Sequence, residues 1–266
     1  MKTMKKVFFY ILVYLTVFSN ILMAKESTLD KIIKNNEIKV CIWPQYYGIS
    51  YIDPRIQRIV GIDSDLAKEL AKDLNVKLTF VKSSFPSLIK DVTSNKCDIA
   101  MFAIGNTEKR REKMRFTTAH LQSDIYAITT KTNKKVKTWN DIDKNGVIVA
   151  VAQGTYHEPI MKEKLKNAEL IVIKGFKQRE DEVQAGRADV FMTDYPYAKK
   201  MLEKTDWAKL ISPENNYYLT SYAWTLKYSD DKLYNRVERF IKDIKRDGRL
   251  LNLAKKNGLE SIVKLK

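Results

Sequence analysis

Short runs of β-branched and aromatic residues alternate with stretches of helical periodicity, and this alternation narrows the possible folds more than any other feature of the chain. EIKVCIW (37–43), KLTFV (77–81) and CDIAMFA (97–103) read as strands. Between the first two, GIDSDLAKELAKDLNV puts Leu66, Leu70 and Leu74 on one helical face, with Ser64 or Asp65 placed to cap it. Between the last two, FPSLIKDVTSN reads as a short helix with Pro86 in its first turn. The order βαβαβ implies a parallel sheet with right-handed crossovers. The same rhythm restarts after Tyr126, with strands VIVAVA, ELIVI and ADVFMT separated by helices beginning at QGTYHE and around REDEVQAG, then a helix from Pro196 to about Lys204. Two α/β lobes are expected, and a closing pair of helices broken near Gly248 needs a sheet to cover.

A chain of 266 residues suffices for two such lobes. Lys2, Lys5 and Lys6 precede an apolar run from Val7, and a candidate cleavage site follows Ala24, the order of a secretory signal peptide. The expectation is therefore export to the periplasm with cleavage after Ala24, an uncleaved anchor being the alternative. The formal charge is +16. Its lysines are scattered among acids and no aromatic residues interleave with them, so a nucleic-acid partner is not expected. Cys41 and Cys97, with only two histidines in the chain, make no zinc site. No metal or cofactor is expected.

CDIAMFAIGNTEKRREKMRFTTAH carries the most chemistry. A strand ends near Phe102, and Thr107 is placed to cap a helix bearing Arg110 and Arg111 in its first turn. Ligands of open parallel sheets sit beyond the carboxyl ends of strands, where an arginine can grip a carboxylate with two parallel hydrogen bonds. By spacing alone Arg110 reads first as a solvated helix arginine.

The pattern D-x8-T-x2-R-x5-F-[ST], filled by Asp98, Thr107, Arg110, Phe116 and Thr117, resembles that of the extracellular solute-binding proteins of family 3, polar amino-acid receptors of ABC transporters. GIDSDLAKELAKDL, VAVAQGTYHE and GRADVFMTD resemble further motifs of that family in the expected order. The resemblance implies a type II periplasmic-binding-protein fold: two lobes, each a mainly parallel sheet flanked by helices, with a hinge crossed twice. It suggests residues 25–122 plus 223–266 as one lobe and 123–222 as the other.

Carried over by position, Arg110 becomes a carboxylate clamp helped by backbone N–H groups of Gly154, Thr155 and Tyr156. Asp194 becomes the acceptor of an α-ammonium, with the Ala103 carbonyl beside it. Asp194 also reads as a helix cap before Pro196. Gly105 departs from the family, which places Ser or Thr there, so a hydroxyl is missing. Phe85, Tyr46 and Trp43 are candidate pocket aromatics, or ordinary packing. Trp43 falls where receptors for basic side chains carry an acid, and a buried cation without a counter-charge is costly, so the expected ligand is an amino acid or related carboxylate that is not basic. Cys41 and Cys97 fall on neighbouring strands of that family's sheet, close enough for a disulfide, though two buried thiols remain open.

The resemblance implies a monomeric transport receptor that hands its small-molecule ligand to a membrane permease, and not an enzyme. The alternatives are a chemosensor receptor and a dehydratase acting on arogenate or prephenate. In those enzymes a glutamate follows the second-lobe aspartate by three residues; here that position is Tyr197. His120 and His157 could donate protons, but neither shows an orienting carboxylate in the sequence.

Overall fold

A computed structural model describes residues 26–266; the expected signal peptide, 1–24, lies outside the described residues. The described residues open with α1 (Thr28–Asn35), started by a reciprocal bond between Ser27 and Asp30. Next come β1 (Glu37–Ile42) and a small antiparallel flap of β2 (Gln45–Tyr46), β3 (Ser50–Asp53) and β4 (Arg58–Val60). Then follow α2 (Ile62–Asp73), β5 (Lys77–Lys82), α3 (Leu88–Thr93), β6 (Ile99–Gly105), α4 (Glu108–Arg111), β7 (Arg115–Phe116) and β8 (Leu121–Ser123). Strands β5, β1 and β6 pair in parallel in that order. Every residue of β6 is buried, as a strand covered on both faces requires.

The second sheet is built from β9 (Ile125–Thr130), β10 (Ile148–Ala152), β11 (Glu169–Ile173), β12 (Val190–Asp194) and β13 (Ala208–Ile211), ordered β11-β10-β12-β9-β13. Helices α5 (His157–Lys164), α6 (Phe176–Gln184) and α7 (Tyr195–Lys204) connect them. The chain then returns through β14 (Thr220–Leu226), which pairs antiparallel to β6, and ends in α8 (Asp231–Arg246) and α9 (Arg249–Lys256). Leu233, Val237, Phe240, Ile241 and Ile244 form the buried stripe of α8. This stripe covers the first sheet's side of the molecule, with α8 against α1 and α2, and α9 against α2.

The two sheets share one plan. Three parallel strands are joined by a fourth, antiparallel strand that has just crossed from the other sheet: β9 beside β12, and β14 beside β6. The two crossings are fastened together by Asp124, whose carboxylate accepts the N–H groups of Tyr217 at 2.7 Å and Tyr218 at 2.6 Å.

Several local expectations are corrected. Helix α2 starts at Ile62 with Gly61 as its N-cap, and the Ser64 hydroxyl turns back to the Gly61 carbonyl instead of capping. Gly61 is required there by its φ of 122° and by the Ile49 carbonyl oxygen 2.4 Å from where a Cβ would sit. Pro86 lies ahead of α3, which begins at Leu88. Thr107 occupies an N-cap position but its side chain makes no capping bond. Strand β6 runs on to Gly105, and β9, β13 and β14 are strands that the apolar runs did not reveal.

Cys41 and Cys97 are joined, with Cα atoms 5.6 Å apart and 56 positions of chain between them. In the chain-entropy account a loop of that length contributes about 4 kcal/mol. The unreduced protein, unfolded in denaturant, is expected to offer no alkylatable thiol, and reduction is expected to lower the denaturation midpoint accordingly. Two labelled cysteines before reduction would refute this.

Candidate functional site

The carboxyl ends of β6 and β12 face one cleft between the sheets, and two opposite charges are buried there. Arg110, on the single turn α4, is 7% exposed. Its guanidinium donates to the Gly105 carbonyl at 3.0 Å and, across the cleft, to the Gly154 carbonyl at 2.9 Å. Its centre lies 5.4 Å from the Phe85 ring centroid. Burial draws its pKa down to about 10, so it stays charged at neutral pH. Among the described residues it forms no ion pair: both partners are backbone oxygens.

Asp194 ends β12 and is 1% exposed. One carboxylate oxygen caps α7 by accepting the Tyr197 N–H at 3.3 Å. The other accepts the hydroxyls of Tyr46 and, at 2.6 Å, Tyr222. Burial pushes its pKa up, against the lowering effect of the two tyrosine donors. The cap and the carboxylate site are thus one residue in two roles. Among the described residues no cation pairs with it directly. Arg179, buried against the rings of Phe176, Phe191 and Tyr197, adds only a favourable field.

Three tyrosines gather at the aspartate. Tyr156 and Tyr222 share a hydroxyl–hydroxyl bond of 3.0 Å, and Tyr222 and Tyr46 donate to the Asp194 carboxylate. Gly105 makes room for this arrangement: a Cβ there would come within 3.1 Å of the Tyr156 ring and 3.2 Å of Thr220. The space that a Ser or Thr side chain would enter at Gly105 is thereby bordered by the Tyr156 ring from the opposite side of the cleft.

The aromatic candidates come together. Trp43 stacks on Phe176 with centroids 4.5 Å apart and meets Phe85 edge-on at 4.9 Å. Tyr46 meets Phe176 at 5.2 Å and Phe85 at 5.9 Å. Ala103 sits at the turn of β6 with φ of 47°. The turn at 154–156 differs from expectation. The Gly154 N–H donates to Glu158 and the Thr155 N–H to Ala152, so two of the three groups expected to face a ligand carboxylate are engaged locally. The Thr155 hydroxyl also folds back onto the Ala152 carbonyl, at 2.7 Å. Tyr156 contributes its ring.

Sequence reasoning missed Phe176, Tyr222, Arg179 and Glu180. Glu180 is buried, accepts the Tyr197 hydroxyl, and has its pKa raised by burial. The alternation of Tyr222, Trp224 and Leu226 in TSYAWTL was an available strand signal that would have brought Tyr222 into view. A second correction concerns His120: its ring, fully buried, bonds the Asp63 carboxylate at 2.9 Å, so it does have a carboxylate partner.

His157 is buried behind Tyr156, and burial together with the charges of Arg179 and Arg110 pushes its pKa down to about 3. The unfolded chain therefore binds a proton below about pH 6.5 that the folded protein refuses until about pH 3, and this residue costs stability as pH falls through that window. Between pH 7 and pH 5 the loss is about 2 kcal/mol. Urea unfolding should show the native protein losing that much more than His157→Gln over this range; parallel profiles would refute the assignment.

Comparison with known proteins gives the same picture. The description bacterial extracellular solute-binding proteins, family 3, matches residues 38–260. A cyclohexadienyl dehydratase of Pseudomonas aeruginosa is 31% identical over 176 residues, spanning 65% of this chain and 65% of that protein. A histidine-binding periplasmic protein of Escherichia coli is 27% identical over 206 residues, 74% of this chain and 78% of the relative. Among solved structures, an ancestral amino acid-binding protein described as a precursor of cyclohexadienyl dehydratase superposes with a TM-score of 0.80 at 30% identity, covering 86% of this chain and 99% of that one. An amino acid ABC transporter substrate-binding protein of Streptococcus pneumoniae bound to L-arginine gives 0.79 at 24% identity, covering 88% and 100%. The fold is the two-lobe type II periplasmic-binding-protein fold, and by its sequence and its cleft the chain belongs to the bacterial extracellular solute-binding proteins, family 3.

Proposed function

We propose that this protein is the periplasmic ligand-binding component of an amino-acid ABC importer, closing its two lobes on a zwitterionic α-amino acid. One observation carries the reading: a buried arginine and a buried aspartate open on the same cleft, and neither has an ionic partner among the described residues. A ligand bearing both a carboxylate and an ammonium would neutralise both charges at once. Arg110 would take the carboxylate, helped by the one N–H of the 154–156 turn left unengaged, that of Tyr156; Asp194 would take the ammonium. The tyrosine hydroxyls between them are donors and acceptors that can rearrange onto either group. Relatives named for histidine and L-cystine binding support an amino-acid ligand.

Residues 25–122 with 223–266 would move as one lobe and 123–222 as the other, pivoting at the two crossings fastened by Asp124. Export with removal of residues 1–24 fits a family of extracellular proteins. The side-chain end of the ligand would be neutral, aromatic or polar. Trp43, Tyr46, Phe85 and Phe176 surround it with rings, and the next buried carboxylate, Glu180, is already engaged by Tyr197, with Lys177 3.7 Å away. A basic side chain would find no free acid there. The solved relatives bound to arginine and lysine make the basic ligand the outcome to test against.

A dehydratase reading has one observation in its favour, the similarity to cyclohexadienyl dehydratase. Tyr197 stands three residues after Asp194, and its hydroxyl donates to Glu180, so the proton donor of that chemistry would have to come from elsewhere. Consumption of prephenate or arogenate by the purified protein would establish the enzyme; binding without turnover favours the receptor.

Two tests follow. In calorimetry with the amino acid giving the largest thermal shift, Arg110→Ala and Asp194→Asn should each weaken binding by about 2–5 kcal/mol, since each strands a charged ligand group. The same Asp194→Asn change should raise the melting temperature of the ligand-free protein, because it removes a carboxylate that burial disfavours. Unchanged affinity in both variants would overturn the site. Gly154→Ala tests closure. An added Cβ would lie 2.7 Å from the Pro86 nitrogen and 2.9 Å from the Phe85 carbonyl carbon, backbone atoms across the cleft, at a residue with φ of 74°. The variant should fold yet scatter as an open molecule with ligand present, with affinity down roughly tenfold or more; native-like compaction would contradict it.

A further inference from the structure

Beneath the cleft, away from Arg110 and Asp194, three hydrogen-bond donors from distant parts of the chain converge on one carboxylate. Asp63, in the first turn of α2, is fully buried. One of its oxygens accepts the Ala103 N–H at 2.6 Å. The other accepts Trp224 Nε1–H at 2.9 Å and His120 Nε2 at 2.9 Å. His120 leads into β8 and the first crossing, Trp224 lies on β14 just after the second, and Ala103 lies in the strand that ends at the cleft.

Ala103 is unusual in its backbone. Among the described residues the other non-glycine positions with positive φ are asparagines and one glutamine, whereas Ala103, at φ 47°, lies inside a buried strand. An alanine is disfavoured in that region because its Cβ crowds the following carbonyl. The ladder shows what the conformation does. Ala100 pairs with Thr225 and Ile104 with Ala223, so β6 spends four steps where β14 spends two. The excess residues bulge, and a bulge re-aims the chain beyond it. Beyond it stand Ile104 and Gly105, the latter accepting from Arg110 and admitting the Tyr156 ring. A bulge also strands N–H groups that a regular ladder would satisfy, and the Asp63 carboxylate takes the one from Ala103.

We infer that Asp63 is a positioning residue for the ligand cleft: by accepting the Ala103 N–H it holds that alanine left-handed, and the resulting bulge sets the Ala103–Gly105 segment against Arg110 and Tyr156. His120 and Trp224 complete the junction and tie the bulge to both strands that lead to the hinge. Asp63 itself is fully buried, with both oxygens taken by donors of the protein. Asparagine cannot substitute, because it offers a single acceptor oxygen and turns an NH₂ toward donors. The inference rests on the ligand-binding reading for its consequence, though the conformational part stands without a ligand.

The test uses the full mature chain as wild type, Asp63→Asn, Ala103→Gly and the double variant. The ¹³Cα and ¹³Cβ shifts of residue 103, or the ¹³Cα shift where it is glycine, report its backbone conformation in ligand-free protein. A panel of the common L-amino acids and L-cystine supplies the calorimetric probe. Asp63→Asn should move Ala103 out of the left-handed region and weaken the best panel binder roughly tenfold or more. Adding Ala103→Gly should restore most of that affinity, since glycine adopts the conformation unaided, without restoring the melting temperature. A merely structural carboxylate would show no such rescue. If Asp63→Asn does not fold, Ala103→Val decides: a β-branched residue resists the left-handed region, so unchanged affinity for the same amino acid overturns the inference. Left-handed shifts persisting at Ala103 in folded Asp63→Asn overturn it equally. That result concerns the backbone alone, whereas failure of every panel member to bind native protein would count against the ligand reading and leave the shifts to decide the role of Asp63.

Discussion

Two uncompensated charges organise this molecule. Burying an ion without a partner is among the costlier things a folded protein can do, and a protein tolerates it where a partner arrives from outside. Here the cation and the anion belong to opposite sides of one cleft, Arg110 at the end of the first sheet and Asp194 at the end of the second. Local groups soften the cost without removing it: backbone carbonyls on the guanidinium, tyrosine hydroxyls on the carboxylate. Such softening keeps both side chains in place while leaving their charges uncancelled, and a ligand that met both would supply the differential stabilisation that a population shift toward closure needs.

The rest of the fold serves the approach of the two sheets. Gly154 lies against the Phe85–Pro86 backbone and Gly48 against the Pro196 carbonyl, so the lobes meet where glycine removes the obstructing Cβ. Aromatic rings from both sides, Trp43 and Phe85 against Phe176, then exclude water from the same space and strengthen whatever electrostatics it contains. Asp124 and Asp63 work underneath. The first fastens the two crossings to each other, and the second fastens the crossings to the strand that carries the cleft.

What was legible in the sequence divides along physical lines. The parallel strands and the helices between them declare themselves through apolar runs and periodicity, because each is a local property of the chain. Arg110 and Asp194 became visible through the order of family-like motifs along the chain. The antiparallel strands β9, β13 and β14 escaped because they carry polar residues such as Thr129, Lys209 and Ser221 and are strands only by virtue of neighbours far away in sequence. With β14 went Tyr222 and Trp224. His120 and Asp63 stand 57 positions apart, and no spacing rule pairs them. The turn at Gly154 misled for a different reason: N–H groups near a helix start look free in the sequence, yet Glu158 takes that of Gly154 and the Ala152 carbonyl that of Thr155.

The exchange of fourth strands has a consequence in time. Strand β6 finishes at Gly105 but its antiparallel neighbour begins at Thr220, with the whole second sheet lying in between. A chain delivered N-terminus first therefore holds an incomplete first sheet, one edge bare and apolar, until nearly all of its length has emerged. The second sheet, by contrast, has every strand it needs by Ile211. Assembly is thus ordered by connectivity: the half that begins the chain is the half that finishes last, and such long-range closure is intrinsically slow.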